Sequence, residues 1–227
     1  MSDNNKPSEE LTLDKVSKAY SSPPWWYDVR GFFILTFAYR STLWAQIRFF
    51  GDNIASNHME VAIGSGTLYS FIDKWRRWKK QPAAQVVGVD YAEAMLAGAI
   101  NRFADNPDIQ LKHADVAELP YPDEYFDSVN IANAVHCFPD VDAAFKEVFR
   151  VMSPGANLAA NVLLYPRGPQ PLRWIAQKID DWGIRKGILY SPYEQEDIRN
   201  RMLQQGFELV SEQVTGNTYN VMVRKPS

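Results

Sequence analysis

From residue 58 onward the chain repeats a unit that few folds accept: a short apolar run, a turn, a stretch with helical spacing, then the next apolar run. "HMEVAI" (58–63) leads into glycines and reads as a buried strand. "TLYSFIDKWRRWKK" (67–80) has helical spacing, with Leu68, Phe71, Ile72 and Trp75 as its inward stripe. β-Branched "AQVVGVD" (84–90) is followed by helical "AEAMLAGAINRFA" (92–104), and "IQLKHAD" (109–115) and "FDSVNIAN" (126–133) are further strands. "VDAAFKEVFRVM" (141–152) is a helix that "SPGA" ends before a long strand, "ANLAANVLLY" (156–165). After a helical insert, "PYEQEDIRNRMLQQ" (192–205) reads as a helix with Ser191 as N-cap. "FELVSEQV" and "TYNVMVRK", joined by "TGN", close the chain as an antiparallel pair. Strand and helix in succession require a mostly parallel sheet covered on both faces. The expectation is therefore an α/β chain with a doubly wound, seven-stranded sheet and a C-terminal antiparallel hairpin. Such a sheet takes its ligand at the carboxyl ends of the strands, where their order reverses.

The first of those turns, "AIGSG", follows a strand and opens a helix, the context a nucleotide-binding loop requires. Glycine lets backbone approach a ligand, and the helix N-terminus presents amides to it. Two familiar ligands are disfavoured. Counting GxGxxG from Gly64 puts Tyr69 where a dinucleotide loop wants Gly or Ala, and no Lys-Ser/Thr pair follows the glycines as a P-loop needs.

The remaining pattern, acidic-x-G-x-G-x-G, resembles the class I S-adenosylmethionine-dependent methyltransferases, and the match continues in order along the chain. "EVAIGSG" looks like their first motif, with Glu60 as the acidic residue and Ala62, Gly64 and Gly66 in the glycine places; Ser65 lies between. Ala62 is expected to have ordinary backbone angles there and to be needed only for its smallness. "VVGVDYAEAML" (86–96) resembles the second motif: Asp90, 24 residues beyond Gly66, would accept from both ribose hydroxyls, with Tyr91 and Met95 beside the adenine. "HADVAELPYPDEYFDSV" (113–129) resembles the third, with Asp115 on the adenine amino group and the Val116 amide on a ring nitrogen. "IANAVHCFPD" (131–140), containing Asn133, and "EVFRVMSPGA" (147–156) complete five ordered matches. The resemblance implies a Rossmann-like methyltransferase fold, S-adenosylmethionine as cofactor and S-adenosylhomocysteine as product.

Methyl transfer from a sulfonium is an in-line displacement whose main demand is positioning; a base is needed only if the nucleophile must lose a proton. His136 is the candidate catalytic residue, since an imidazole with an ordinary pKa near 6.5 suits proton removal near neutrality. Cys137 beside it reads as a small buried residue, and His58 and His113 as structural. The acceptor side rests on two segments. "AYSSPPWWYDVRGFFILTFAYR" carries Tyr20, Trp25, Trp26 and Tyr27 within an expected helical cap over 11–50 that Pro23 and Pro24 interrupt; it resembles the lead-in of quinone- and sterol-type methyltransferases. The insert over 165–190 carries Tyr165, Arg167 and Trp174 and is the second expected lid. Residues 1–10 read as a mobile tail, and the whole of 1–227 as a single domain.

Composition narrows the partners. Hydrophobic residues make up 46% and charged residues 22%, a globular balance, and a net charge of -3 gives no general attraction to nucleic acid. One cysteine allows no internal disulfide and points to the cytoplasm, and the spread of three histidines offers no metal site. No apolar run reaches a membrane span, the best being "GFFILTFAY" (31–39); the basic, aromatic "KWRRWKK" (74–80) is the one segment suited to peripheral membrane contact, although its charges read as a solvated helix end. The expected reading is a monomeric or homodimeric enzyme that methylates a small apolar or aromatic acceptor. The competing reading is a noncatalytic methyltransferase-like protein that binds the cofactor for regulation or assembly.

Overall fold

A computed structural model of the chain describes residues 42–167, 169–185 and 192–227. Helix α1 (Leu43–Gly51) precedes β1 (Asn57–Val61), and four further strands follow in alternation with helices: α2 (Thr67–Trp78), β2 (Gln85–Asp90), α3 (Glu93–Arg102), β3 (Ile109–His113), β4 (Phe126–Ile131), α4 (Val141–Val151) and β5 (Met152–Leu163). Then come α5 (Leu172–Arg185), α6 (Gln195–Gln204), β6 (Glu208–Thr215) and β7 (Thr218–Arg224). The seven strands form one sheet in the order β3-β2-β1-β4-β5-β7-β6. Strands β1 to β5 pair in parallel, whereas β7 runs antiparallel to both β5 and β6. The order reverses between β1 and β4, as the doubly wound expectation requires.

Both faces of the sheet are covered. On one, Ile47, Phe50, Tyr69, Ile72, Trp75 and Phe103 pack α1, α2 and the end of α3 over Val86 and Ala159. On the other, Phe145, Val148, Ile198 and Met202 pack α4 and α6 over Met59, Val129 and Leu158. Leu158 and Ala159 are neighbours buried in opposite layers, which is the period-two signature of a strand covered twice. Each fully buried large apolar side chain in these layers contributes about 1.5–3 kcal/mol.

Four local expectations change. The buried face of α2 is Tyr69, Ile72, Trp75 and Arg76, a stripe rotated from the expected one, with Phe71 39% exposed. Arg76 is not a solvated charge: its guanidinium donates to the carbonyls of Gly51, Ile54 and Pro82 and to Gln81 Oε1, tying α1 to the end of α2. Burial lowers its pKa in consequence. Strand β5 begins at Met152, directly after α4, and "SPG" is absorbed within it where the register against β4 shifts. Helix α6 starts at Gln195 with Glu194 at its N-cap, so the capping role expected of Ser191, which lies outside the described residues, is filled elsewhere. The expected cap over 11–50 is described only from residue 42, and the expected tail lies outside the described residues.

Candidate active site

The parallel strands deliver their carboxyl ends to one edge. After β1 the chain turns through Ala62 (φ 55°), Gly64 (φ 61°) and Gly66 (φ 73°) into α2. Ala62 departs from expectation: it holds a left-handed angle that an L-residue adopts at a cost of about 1–2 kcal/mol. Gly66 is required twice over, by its angle and because a Cβ there would lie 2.4 Å from the Phe103 ring. A Cβ on Gly64 meets no atom within 4 Å, so only its angle demands glycine. Arg102, at the end of α3, fastens this loop: Nε donates to the Ser65 carbonyl at 2.9 Å and Nη2 to Thr67 Oγ1 at 2.7 Å. Tyr69 is buried edge-on against Phe103, with its centroid 5.8 Å away, and burial raises its pKa.

Asp90 ends β2 directly beside the loop. Its Oδ2 accepts from the Gly64 amide at 2.7 Å and its Oδ1 from the Ala92 amide at 2.8 Å. Burial pushes its pKa up, against the opposing pull of the surrounding amides, Ala92 and Gly64 foremost. Tyr91 is held by its neighbour: its carbonyl bonds His113 Nε2 at 2.9 Å and the rings lie 5.1 Å apart. Beyond β3, Asp115 Oδ1 accepts from the Ala117 amide, a local turn that fixes the half-buried Val116 between them. Met95, on the first turn of α3, is fully buried.

Beneath this edge lies a polar layer. Glu60, 3% exposed, points into the protein, where Oε1 accepts from Asn130 Nδ2 at 2.7 Å and meets His58 Nε2 at 3.0 Å. His58 Nδ1 meets Ser128 Oγ at 2.7 Å, and Asn53 bridges Val129 O and Asn130 Oδ1. At the end of β4, Asn133 (φ 55°) exchanges two amide hydrogen bonds with Gln46 and pairs with Asn161 of β5. His136 lies in a short 3-10 turn, Val135–Cys137, and is 7% exposed; burial lowers its pKa to about 4. That is not the near-neutral imidazole expected of a base. Cys137 is half-buried rather than buried.

The acceptor-side residues of the insert are exposed: Tyr165 at 46% and Trp174 at 56%. Arg167 is committed to Glu194, Nη2 to Oε2 at 2.9 Å, so its charge is matched within the chain. Tyr20, Trp25, Trp26 and Tyr27 lie outside the described residues.

With this geometry in place, residues 59–160 match the family described as the methyltransferase domain. That stretch, from β1 into β5, is similar to the methyltransferase domain in sequence. The demethylmenaquinone methyltransferase of Thermus thermophilus is 35% identical over 113 residues, 49% of this chain and 48% of that protein. The chain thus spans about half the length of the curated relatives it matches. An S-adenosylmethionine-dependent methyltransferase from Thermotoga maritima shares the fold at a TM-score of 0.65 and 14% identity, over 94% of this chain and 100% of that one. The [4+2]-cyclase SpnF shares it at 0.64 and 16%, over 80% and 81%.

The cofactor of the methyltransferase domain is S-adenosylmethionine, and the residues present fit it. A carboxylate has about four acceptor positions, and the two amides leave Asp90 capacity for a sugar diol. The α2 N-terminus opens at Gly66 without a side-chain cap, an arrangement that favours an anionic group there. Sequence reasoning missed three supports of the domain. Arg102 and Gln46 act across long separations and carry no periodic signal. Arg150 explains the "LPYPD" spacer: it donates to the carbonyls of Leu119 and Tyr121 and to Asp123 and Glu147, clamping the segment that follows Asp115. Its hydrogen bonds hold the Glu147 pKa below the ordinary range. The position three residues before "SPG" was the available clue.

Proposed function

We propose that the chain transfers a methyl group from S-adenosylmethionine to a small apolar or aromatic acceptor, a quinone-type ring being the class best supported. The observation that carries it is Asp90, which ends β2 and is fixed by the Gly64 amide of the turn after β1, the strand beside which the order reverses, with acceptor capacity to spare. When bound, the cofactor supplies an electrophilic methyl on a sulfonium. Gly64, Ser65 and Gly66 would hold its amino-acid portion; Asp90 would hold the ribose; Tyr91, Asp115 and Val116 would line the purine, with Met95 filling the layer behind. Glu60 and Asn133 act from beneath, Glu60 by anchoring β1 to β4 through Asn130 and Asn133 by fixing the end of β4 against Gln46. Ala62 keeps the backbone of the turn on course. Tyr165 and Trp174, with Tyr20, Trp25, Trp26 and Tyr27 of the N-terminal segment, would supply the apolar acceptor surface, and Arg167 a hinge held by Glu194.

His136 belongs to this reading as a buried neutral imidazole that shapes the loop after β4, not as the base. Methyl transfer survives that change, because positioning dominates it. The name of the Thermus relative supports a quinone-type acceptor, and the lone cysteine supports a cytoplasmic setting. Among the described residues no helix is long and apolar enough to cross a membrane. The test is label transfer: purified chain, methyl-labelled S-adenosylmethionine and a panel of reduced quinones, with label expected in the organic extract. Cofactor binding without transfer to any quinol, phenol or sterol supports the noncatalytic reading. No cofactor binding overturns both.

A further inference from the structure

Asp180 lies on α5, in the insert between β5 and α6, and is 4% exposed. Among the described residues neither of its carboxylate oxygens has a hydrogen-bond partner. Buried carboxylates without donors are rare because an uncompensated polar group costs several kcal/mol. With Ala176, one turn earlier, Asp180 forms the buried side of α5, while Trp174 and Ile184 stand exposed. The insert both leaves and rejoins the sheet at one point: Leu164 bridges Tyr193, with Tyr193 N donating to Leu163 O at 3.1 Å and Tyr165 N to Tyr193 O at 3.2 Å. That point is the carboxyl end of β5, the same edge that carries the glycine turn, Asp90 and Asn133. The one orphaned buried carboxylate among the described residues therefore lies in the segment that leaves and rejoins the sheet at that edge.

Resting on the methyl-acceptor reading above, we propose that Asp180 recognises the acceptor by receiving a hydrogen bond from one of its hydroxyl groups. An aromatic molecule with a phenolic or quinol hydroxyl supplies both the apolar body that the aromatic residues of the insert suit and the donor that Asp180 lacks. Burial, and then the adjacent Asp181 carboxylate, hold the Asp180 pKa up at about 7, so near neutrality it is ready to become the stronger, ionised acceptor when a donor arrives.

The test uses binding alone. With S-adenosylhomocysteine present, calorimetry compares 1,4-dihydroxynaphthalene with 1,4-dimethoxynaphthalene, which has the same rings and no donor. The wild type should prefer the dihydroxy probe about 10- to 100-fold, the range of a hydrogen bond to a charged group. Asp180→Leu, which fills the same space without an acceptor, should bring the two probes to within about threefold, and Asp180→Asn, which keeps one acceptor oxygen, should retain part of the preference. Affinity for S-adenosylhomocysteine should be unchanged in both variants, and melting curves confirm that both fold. No preference in the wild type, or a preference that persists in Asp180→Leu, overturns the assignment. Failure of the cofactor reading shows separately, as loss of S-adenosylhomocysteine binding before any probe is added.

Discussion

The edge proposed to hold the cofactor and the insert beside it are built by different rules. The cofactor side is made of backbone: three positive-φ residues, the uncapped start of α2 and an aspartate held by two amides, over a layer in which Glu60, His58, Asn130 and Ser128 satisfy one another. The insert side is made of side chains: exposed Tyr165 and Trp174, an ion pair at the foot and one buried carboxylate with no donor. A common cofactor can be gripped by a common backbone, whereas an acceptor must be told apart by side chains. The first arrangement is nearly closed on itself; the second is waiting for a partner.

The sharpest way to break this contrast is Asp90→Ala. It leaves the Gly64 and Ala92 amides without their carboxylate acceptor and removes the proposed diol contact, and cofactor affinity should fall at least about 100-fold by calorimetry, since hydrogen bonds to a charged group contribute about 1.5–3 kcal/mol each. Unchanged affinity would refute the ribose assignment. Next in size is the layer beneath: Glu60→Ala leaves His58 and Asn130 short of a buried acceptor and should cost about 2–4 kcal/mol in urea unfolding. The same change on the rim, Arg167→Ala, removes only an exposed ion pair, 42% and 57% exposed, and should cost less than about 1 kcal/mol.

Acid titration separates the sides in a different way. His136, lowered to about 4, is neutral in the fold while the unfolded chain takes up a proton below about 6.5, so its contribution to stability is present at neutral pH and is lost as pH falls from about 6.5 to about 4. Asp180, raised to about 7, does the reverse: the unfolded chain releases its proton first, so stability falls as pH rises from about 4 to about 7. The two oppose each other over one window. In Asp180→Asn the melting temperature should climb between pH 4 and 6.5, and in His136→Gln it should drop between pH 4 and 7. Parallel curves in the two variants would show that neither group titrates as described. The smallest effect concerns the turn itself: Ala62→Gly should stabilise by about 0.5–1 kcal/mol, because relief of the left-handed angle exceeds the added chain entropy.

These differences also explain what could be read before the structure was known. The alternation of strands and helices and the glycine turn follow from periodicity and from local backbone demands, which sequence carries within windows of about ten residues. Asp90 was legible because it must end a strand at a fixed distance from the glycines. The conformation of Ala62 was not, since its side chain is silent about its angle. Glu60 looked like a ligand contact because its chemistry is acidic, yet alternation along β1 turns it inward with His58, opposite Met59 and Val61. The pKa of His136 was not legible for a related reason: residue type suggests a value, but burial sets it. Asp180 gave no signal at all. An aspartate in an amphipathic insert reads as solvated, and only packing shows that it is not.

The paired feet of the insert, Leu164 and Tyr193, have an evolutionary corollary. Everything between them is a single excursion that enters and exits through one stitch, so it can lengthen, shorten or be exchanged without shifting the register of any strand. A scaffold wired like this can change what it meets at that edge by rewriting about thirty residues, while the glycine turn and Asp90 are inherited intact.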